Sequence, residues 1–349
     1  MAGERAALCC VAFGLIACSE PIAGSYFSPS ANAGAGAQSA PDMANSGGSY
    51  FSPSGMPQAA GGSGSEVDAS PGEPASDAGF CTGQAVSVAD LASGNVRGGA
   101  TVLLPKLVVT SQKFLLSASK TSDKCLWGAF ATDEGKSGEN SGVLLLSSVD
   151  GVPAESDGGS IVVCPSGMDA LPDALAPGDR VSAFGDFSDY APSACRDTAP
   201  MRELLVKPGC AVERTGQGVP PATVMIPFEL ADQLAQGKDK ALLRAWSGAR
   251  VELDALDALP VAGSASAVGA FGVIRVQQTK LELHSKIPYS DLSEGGPHQP
   301  AKALDYSFPV HFARARGVLF LDYCTWSLGV CEPCLDLAPQ SRGCPASGG

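Results

Sequence analysis

Short strand-like runs follow one another from residue 96 onward, and this pattern constrains the fold more than any other feature of the chain. The runs are rich in apolar and β-branched residues and are separated by Gly, Pro, Asp and Ser, which is typical of strands joined by turns. The sequence therefore predicts an all-β fold. In the first half the predicted strands are 101–110, 113–118, 126–132, 142–147, 160–164, 180–187 and 202–207. In the second half they are 250–256, 271–278, 280–284 and 317–323.

The segment 228–235 is the clearest helix, because its apolar residues recur at helical spacing. It lies between two halves that share three short sequence matches in the same order. The matches are 99–104 with 248–253, 128–130 with 269–271, and 187–190 with 320–323. Such matches are typical of a duplicated unit whose loops differ in length, and chance similarity is the alternative.

The region between residues 19 and 79 has a composition that does not support a folded core. It consists largely of Gly, Ala, Ser and Pro, and it contains carboxylates but no Lys or Arg. A chain of this kind cannot bury enough apolar surface to offset its conformational entropy. We therefore predict a disordered stalk over 18–79.

The acidic balance of the chain bears on its partners. The formal net charge is −13, and no basic run occurs in the predicted globular part. Sequence-independent affinity for nucleic acid comes from Lys and Arg that neutralise phosphates. The charge therefore disfavours nucleic acid as a partner.

The N-terminal residues combine one arginine with an apolar run that is too short to span a bilayer. The run ends in Leu15-Ile16-Ala17-Cys18, which resembles the lipobox of bacterial lipoprotein precursors. The resemblance implies a signal peptide at 1–17, attachment of palmitate and further acyl chains at Cys18, and stable membrane anchoring. Ser19 resembles an outer-membrane sorting signal. We therefore expect a lipid-anchored protein of the cell envelope, in the outer membrane of a Gram-negative bacterium.

The chain contains 12 cysteines, of which Cys9, Cys10 and Cys18 belong to the predicted signal and lipid site. The remaining number is odd, so in an oxidising compartment we expect disulfides and one unpaired thiol. The disulfide candidates are Cys125, Cys164, Cys195, Cys210, Cys324, Cys331, Cys334 and Cys344. Spacing predicts Cys125–Cys164, Cys195–Cys210 and two bridges among the four C-terminal cysteines. A zinc site or a redox Cys-x-x-Cys centre at this C-terminal group is the alternative, which the spacing and the lack of a βαβ context disfavour.

Several motifs of the first half suggest a particular kind of β-structure. A Gly-x-x-Val strand is followed by an aromatic strand ending at Asp133, by the turn Pro177-Gly178-Asp179, and by Gly185. The combination resembles the OB-fold-like domains of bacterial secreted nuclease-associated proteins and lipoproteins, over 90–215 and more faintly over 246–340. The resemblance implies two tandem OB-like β-barrels, in which the Pro-Gly-Asp turn opens a barrel strand. The second half lacks that turn and keeps only Gly317.

These features predict the following organisation. A lipoprotein signal peptide (1–17) precedes a disordered tether (18–79), a first OB-like barrel (80–215), a connecting helix and linker (216–245), a second OB-like barrel (246–340) and a tail (341–349).

The sequence offers no recognisable catalytic or phosphate-binding motif, and we predict no catalytic residues, metal site or cofactor. The three histidines, His284, His298 and His311, have no spacing typical of a shared metal or base. Four carboxylates cluster around one predicted strand, where solvated side chains are favoured over a calcium site: Asp179, Asp186, Asp189 and Asp197. Four aromatic residues are interpreted as barrel core in preference to base-stacking surface: Trp127, Phe130, Phe184 and Phe187.

The sequence thus favours a membrane-anchored, non-enzymatic binding or interaction module, with an unknown protein or glycan as its partner. One alternative is an accessory OB module that binds extracellular nucleic acid alongside a nuclease. The other is a hydrolase with an unrecognised carboxylate site, since folding can bring acidic residues together from distant positions.

Overall fold

A computed structural model describes residues 81–119, 122–156, 159–165, 167–190, 195, 198–269, 272–287, 304–322 and 324–342. All of them belong to one compact unit. Strands make up most of the regular structure, and the all-β prediction is confirmed. Cys18, the predicted stalk, His298, Asp197 and Cys344 lie outside the described residues.

The first half contains these elements: β1 (Gln84–Ala85), α1 (Val88–Ala92), β2 (Thr101–Val109), β3 (Phe114–Ser119), β4 (Lys124–Asp133), β5 (Gly142–Asp150), β6 (Val152–Ser156), β7 (Gly159–Val163), β8 (Asp179–Tyr190), β9 (Met201–Val206) and β10 (Glu213–Gln217). The second half contains β11 (Val224–Met225), α2 (Phe228–Gln236), α3 (Lys240–Trp246), β12 (Arg250–Asp257), β13 (Val273–Ile274), β14 (Glu282–His284), β15 (His311–Asp322), β16 (Thr325–Gly329), α4 (Pro333–Asp336) and β17 (Leu337–Ala338).

Local sequence signals explain several of these boundaries. The Ser87 hydroxyl accepts a hydrogen bond from the Asp90 N–H while the Asp90 carboxylate accepts one from the Ser87 N–H, a capping box that begins α1. The predicted helix 228–235 is confirmed as α2, which ends at Gln236 and is capped by Gly237 with a φ of 69°. Strand β8 begins at Asp179, whose carboxylate accepts a hydrogen bond from the Ala176 N–H. The Pro-Gly-Asp turn therefore opens a strand, as the resemblance implied.

Pairing in the first sheet follows the order β1-β2-β4-β5-β9-β8-β10, and β2 also pairs with β8. Strand β2 contacts β8 along most of its length and contacts β4 at its C-terminal end, Leu107–Val109. Within this sheet β5 and β9 run parallel. The path of pairings β2-β4-β5-β9-β8 therefore returns to β2.

The second sheet repeats this order and direction of strands. Its order is β11-β12-β15-β16-β14-β13, and an isolated bridge joins Ala258, just after β12, to Val276, just after β13. Val102 of β2 pairs with Gly185, and Val251 of β12 pairs with Gly317. The parallel pair β5–β9 corresponds to β14–β16. Each half is thus built on the same strand arrangement.

The register supports only one of the three sequence matches. It aligns 99–104 with 248–253, because Gly99 donates its N–H to the Phe187 carbonyl and Gly248 donates to the Leu319 carbonyl. Phe187 therefore corresponds to Leu319, so the match of 187–190 with 320–323 is wrong by one residue. The match of 128–130 with 269–271 is also wrong, because Ala129 and Ile274 occupy equivalent positions beside β5 and β14. Short similarities could not reveal these shifts, which depend on pairing between distant strands.

One predicted strand is largely wrong. Among the described residues of this range, 272–278, only Val273–Ile274 form a strand, because the chain then bends so that Val276 bridges to Ala258. Strand β14 likewise begins at Glu282 instead of residue 280. The prediction missed the polar edge strand β10 and the short strand β16, which lack an alternating apolar pattern long enough to recognise.

The two halves share an apolar junction. Outward-facing Phe130 of the first half contacts Phe320 of the second, with ring centroids 6.2 Å apart. The Leu321 N–H lies 3.5 Å from the sulfur of Met201. These residues belong to one hydrophobic cluster that includes the interior of the second half. We call this contact region the junction; it buries the outer face of β4, β5 and β9.

At the junction, Gly142 lies directly against the backbone of Gly248. A Cβ atom on Gly142 would lie 2.1 Å from the Gly248 carbonyl carbon. We therefore expect Gly142→Ala to lower the free energy of unfolding by about 3 kcal/mol, because neither backbone segment can retreat without breaking strand pairing. Thermal unfolding followed by circular dichroism measures the loss. Gly98→Ala is the matched control, since a Cβ there meets nothing within 4 Å; equal stability of the two variants would contradict the prediction.

The disulfides depart from the pairing that spacing predicted. Cys125 bonds to Cys164 as expected. Cys195 bonds to Cys324 instead of Cys210, and Cys210 bonds to Cys81, which was not among the candidates. Sequence proximity misled the prediction because strands bring these distant residues to within bonding range. Two of the three described bridges span 129 residues each.

The C-terminal cysteines are also arranged differently from the prediction. Cys334 is disulfide-bonded, whereas Cys331 is a free, fully buried thiol and Cys324 bonds to Cys195, so the expectation of two bridges within this group is wrong. Burial raises the pKa of the Cys331 thiol well above its usual range, and Asp336 reinforces the shift. With Cys324 also bonded elsewhere, these thiols do not assemble a zinc site.

Candidate functional site

The aromatic residues considered for base stacking are all buried. Trp127, Phe130 and Phe187 are at most 1% exposed, and Phe184 is 9% exposed. Phe130 faces the junction, while Trp127 and Phe187 belong to the interior cluster of the first half. Buried rings stabilise the core and offer no stacking platform at the surface.

The predicted carboxylate cluster does not converge. Asp179 is buried and pairs with Arg214, Asp186 with Lys207, and Asp189 with Arg244. Each carboxylate along β8 therefore has its own cation. Among the described residues, no group of three or more His, Cys, Asp and Glu side chains is placed to hold a metal ion.

A buried lysine forms the most enclosed charged cluster of the first half. The Lys113 ammonium lies 2.6 Å from Asp169, 2.5 Å from Asp173 and 2.8 Å from the Leu171 carbonyl. It also lies 5.0 Å from the centre of the Trp127 ring. Sequence analysis missed this cluster, because a single lysine before a strand carries no signal of burial. Asp169, Leu171 and Asp173 belong to one loop, so the ammonium holds that loop against the sheet.

His284 belongs to a second charged cluster, near the junction. Its Nδ1 accepts the Lys286 backbone N–H at 3.0 Å, and its Nε2 lies 3.0 Å from Asp322. Lys286 also pairs with Asp322, and these partners hold the pKa of Asp322 well below its usual range despite its burial. Because both ring nitrogens are engaged, His284 is not placed to act as a general base.

Glu203 is a buried carboxyl group on the outer face of β9, beside the junction residue Met201. It is 4% exposed, and its Oε1 has no hydrogen-bond partner among the described residues. Burial, reinforced by the charge of Asp189, raises the pKa of Glu203 to about 8. The folded protein therefore keeps this group largely protonated at neutral pH.

The raised pKa predicts how Glu203→Gln changes stability. Below pH 4.5 the Glu203 carboxyl group is protonated in both the folded and the unfolded chain. Between pH 4.5 and 8 the unfolded chain loses this proton while the folded chain keeps it, so Glu203 lowers the stability of the folded protein more and more as the pH rises. We expect the variant to gain about 3 kcal/mol at pH 7 and almost nothing at pH 4. Urea unfolding at both pH values measures the difference. A gain that does not depend on pH, or an equal gain in the exposed control Glu213→Gln, would contradict the prediction.

An open groove with both polar and apolar lining lies on the second half, where β12 and β13 meet. It consists of two adjacent open cavities of about 400 and 330 Å³, and Gln277 lines both. The first is lined mainly by Arg275–Glu282, Asp232 and Leu259. The second is lined by Asp257, Ala258, Phe308–His311 and Gln277. We call this feature the Gln277 groove.

Hydrogen bonds hold the side chains at the centre of the Gln277 groove. The Asp257 carboxylate lies 2.8 Å from His311 Nδ1 and accepts the Gln278 amide at 2.6 Å, and these bonds lower the pKa of Asp257. The Gln278 carbonyl accepts the Asp257 backbone N–H in return. Sequence analysis did not identify this region as a site, and it had considered only His311, which has no spacing typical of a shared metal or base.

Two further findings bear on identity. No protein-family model matches the chain, and neither a curated protein nor a solved structure matches it significantly. No helix among the described residues is both long enough and apolar enough to cross a membrane.

Proposed function

We propose that this protein is a lipid-anchored, non-enzymatic binding module of the bacterial envelope, built from two tandem OB-like barrels on a disordered tether. The observation that carries the binding role is the Gln277 groove, which presents fixed hydrogen-bonding side chains next to exposed apolar ones. An open groove of this kind suits recognition, because it holds polar groups in place without enclosing a reacting atom.

The barrel proposal is supported by strand pairing. Five strands of the first half form a closed path of pairings. The third and fifth of them in chain order, β5 and β9, run parallel, which is the arrangement expected of an OB-like barrel. The second half repeats the order and joins its first and second strands by one bridge. A barrel has no unpaired edge along its closed path, so such a module resists edge-to-edge association.

The lipid anchor is supported by the lipobox-like segment, and lipid attachment can be tested directly. Radiolabelled palmitate fed to producing cells should label the wild-type protein and leave Cys18→Ala unlabelled. Cys10→Ala is the matched control, because it lies within the signal peptide and should not affect labelling. Wild-type protein that carries no label and appears in the soluble fraction would overturn the anchored location.

The nucleic-acid alternative is tested with the full chain in detergent. We expect a labelled single-stranded oligonucleotide to show no anisotropy change at low salt, because the stacking candidates are buried and the Asp residues of β8 pair with neighbouring cations. Micromolar binding that weakens as salt rises would overturn this expectation and favour the accessory nuclease role.

A further inference from the structure

The shape of the Gln277 groove favours a chain-like ligand. Both cavities are open to solvent and share the lining residue Gln277, and Ala258 of one is followed by Leu259 of the other, so they are neighbouring depressions. The exposed Gln277 side chain makes no hydrogen bond within the described residues, which leaves its amide free to bind at the point that both cavities share.

The charges that line the groove are balanced by internal partners. Arg275 pairs with Glu282 at 2.8 Å, and Asp257 is held by His311 and Gln278. Asp232 accepts hydrogen bonds from the Thr279 hydroxyl and the Lys280 backbone N–H. Lys280 also lines the groove, and the two cations Arg275 and Lys280 nearly offset its three carboxylates, so the groove has little net field with which to attract a polyanion or a polycation.

Two backbone N–H groups of the groove are already paired within the protein. The Leu259 N–H donates to the Arg275 carbonyl, and the Gln277 N–H donates to the Asp257 carbonyl. A peptide that binds by adding a strand needs such groups unpaired. We therefore assign recognition to side chains: the Gln277 amide, the hydrogen-bonded Asp257–Gln278 pair, and the exposed His311 ring.

Both cavities also present exposed apolar side chains. Leu259 is 36% exposed in the first cavity and Phe308 is 38% exposed in the second. Sugars match this combination, because their hydroxyls both donate and accept hydrogen bonds while their C–H faces pack on apolar side chains. We propose that the Gln277 groove binds a neutral oligosaccharide chain. This inference rests on the proposed binding role and gives that role a ligand class.

The test uses the full chain in a detergent that contains no sugar, titrated with three neutral hexasaccharides: chitohexaose, cellohexaose and maltohexaose. Saturation-transfer NMR and calorimetry should detect saturable binding of at least one, with a Kd on the order of 0.1–1 mM, because each hydrogen bond in an open groove replaces one made to water. Hexagalacturonic acid, an anionic chain of the same length, should bind at least tenfold more weakly.

The double variant Gln277→Ala/Leu259→Ala should weaken sugar binding at least tenfold. Gln217→Ala/Val219→Ala is the matched control, since both side chains are exposed on the first half, away from the groove, and it should bind as the wild type does. Binding to none of the three sugars, equal binding of the anionic chain, or binding that survives the groove variant would overturn the inference.

The inference and the proposed function fail in different ways. Mass spectrometry of the recovered sugar shows whether it has been cleaved. Intact sugar supports both proposals, whereas binding with cleavage supports the groove and overturns the non-enzymatic role. Sugar binding by a chain that takes up no palmitate supports the groove and overturns only the anchored location.

Discussion

Replacing Cys195 and Cys324 together with alanine is expected to lower the free energy of unfolding by about 5 kcal/mol. The bridge closes a loop between residues that are 129 positions apart, and its loss frees that loop in the unfolded chain. It also joins the segment before β9 to the turn between β15 and β16, on opposite sides of the junction. Thermal unfolding of the oxidised protein should show a fall of roughly 10–20 °C.

Cys331→Ala is the control for this prediction. It makes the same chemical change at a buried cysteine that forms no bridge, so only a small packing loss of about 1 kcal/mol is expected. If the double variant loses no more stability than this control, the bridge does not restrain the junction.

Lys113→Met is expected to destabilise the protein by about 4 kcal/mol. Methionine fills a similar volume but leaves the Asp169 carboxylate, whose side chain is fully buried, without its cation. The Leu171 carbonyl loses a hydrogen bond at the same time. Urea unfolding measures the loss, and limited proteolysis should show new cleavage in the loop 167–173, which the ammonium holds in place.

The exposed pair Lys124–Asp150 provides the matched comparison. Lys124→Met removes an ion pair of the same type at the surface, where solvent screens the charges, so a change below about 1 kcal/mol is expected. Similar losses for Lys113→Met and Lys124→Met would show that burying the Lys113 cluster adds nothing to the free energy of unfolding.

Much of the strand pattern was predictable, because burial on one face of a strand imposes an apolar period that survives in the sequence. Strands β2, β4, β8 and β12 were located to within a few residues, and α2 was identified from its periodicity. Strands β10 and β16 were missed because their residues are polar or too few to show a period. The candidate site was scarcely predictable, since its side chains come from segments far apart in the chain.

Taken alone, the sequence determined the all-β class, the position of the main helix and the turn at Asp179, because each depends on residues that are close neighbours in the sequence. The tertiary structure alone decided the partners of Cys195 and Cys210, the burial of Lys113 and Glu203, and the meeting of Asp257 with His311. These features depend on strand register and on the junction between the halves, which residues distant in sequence determine together.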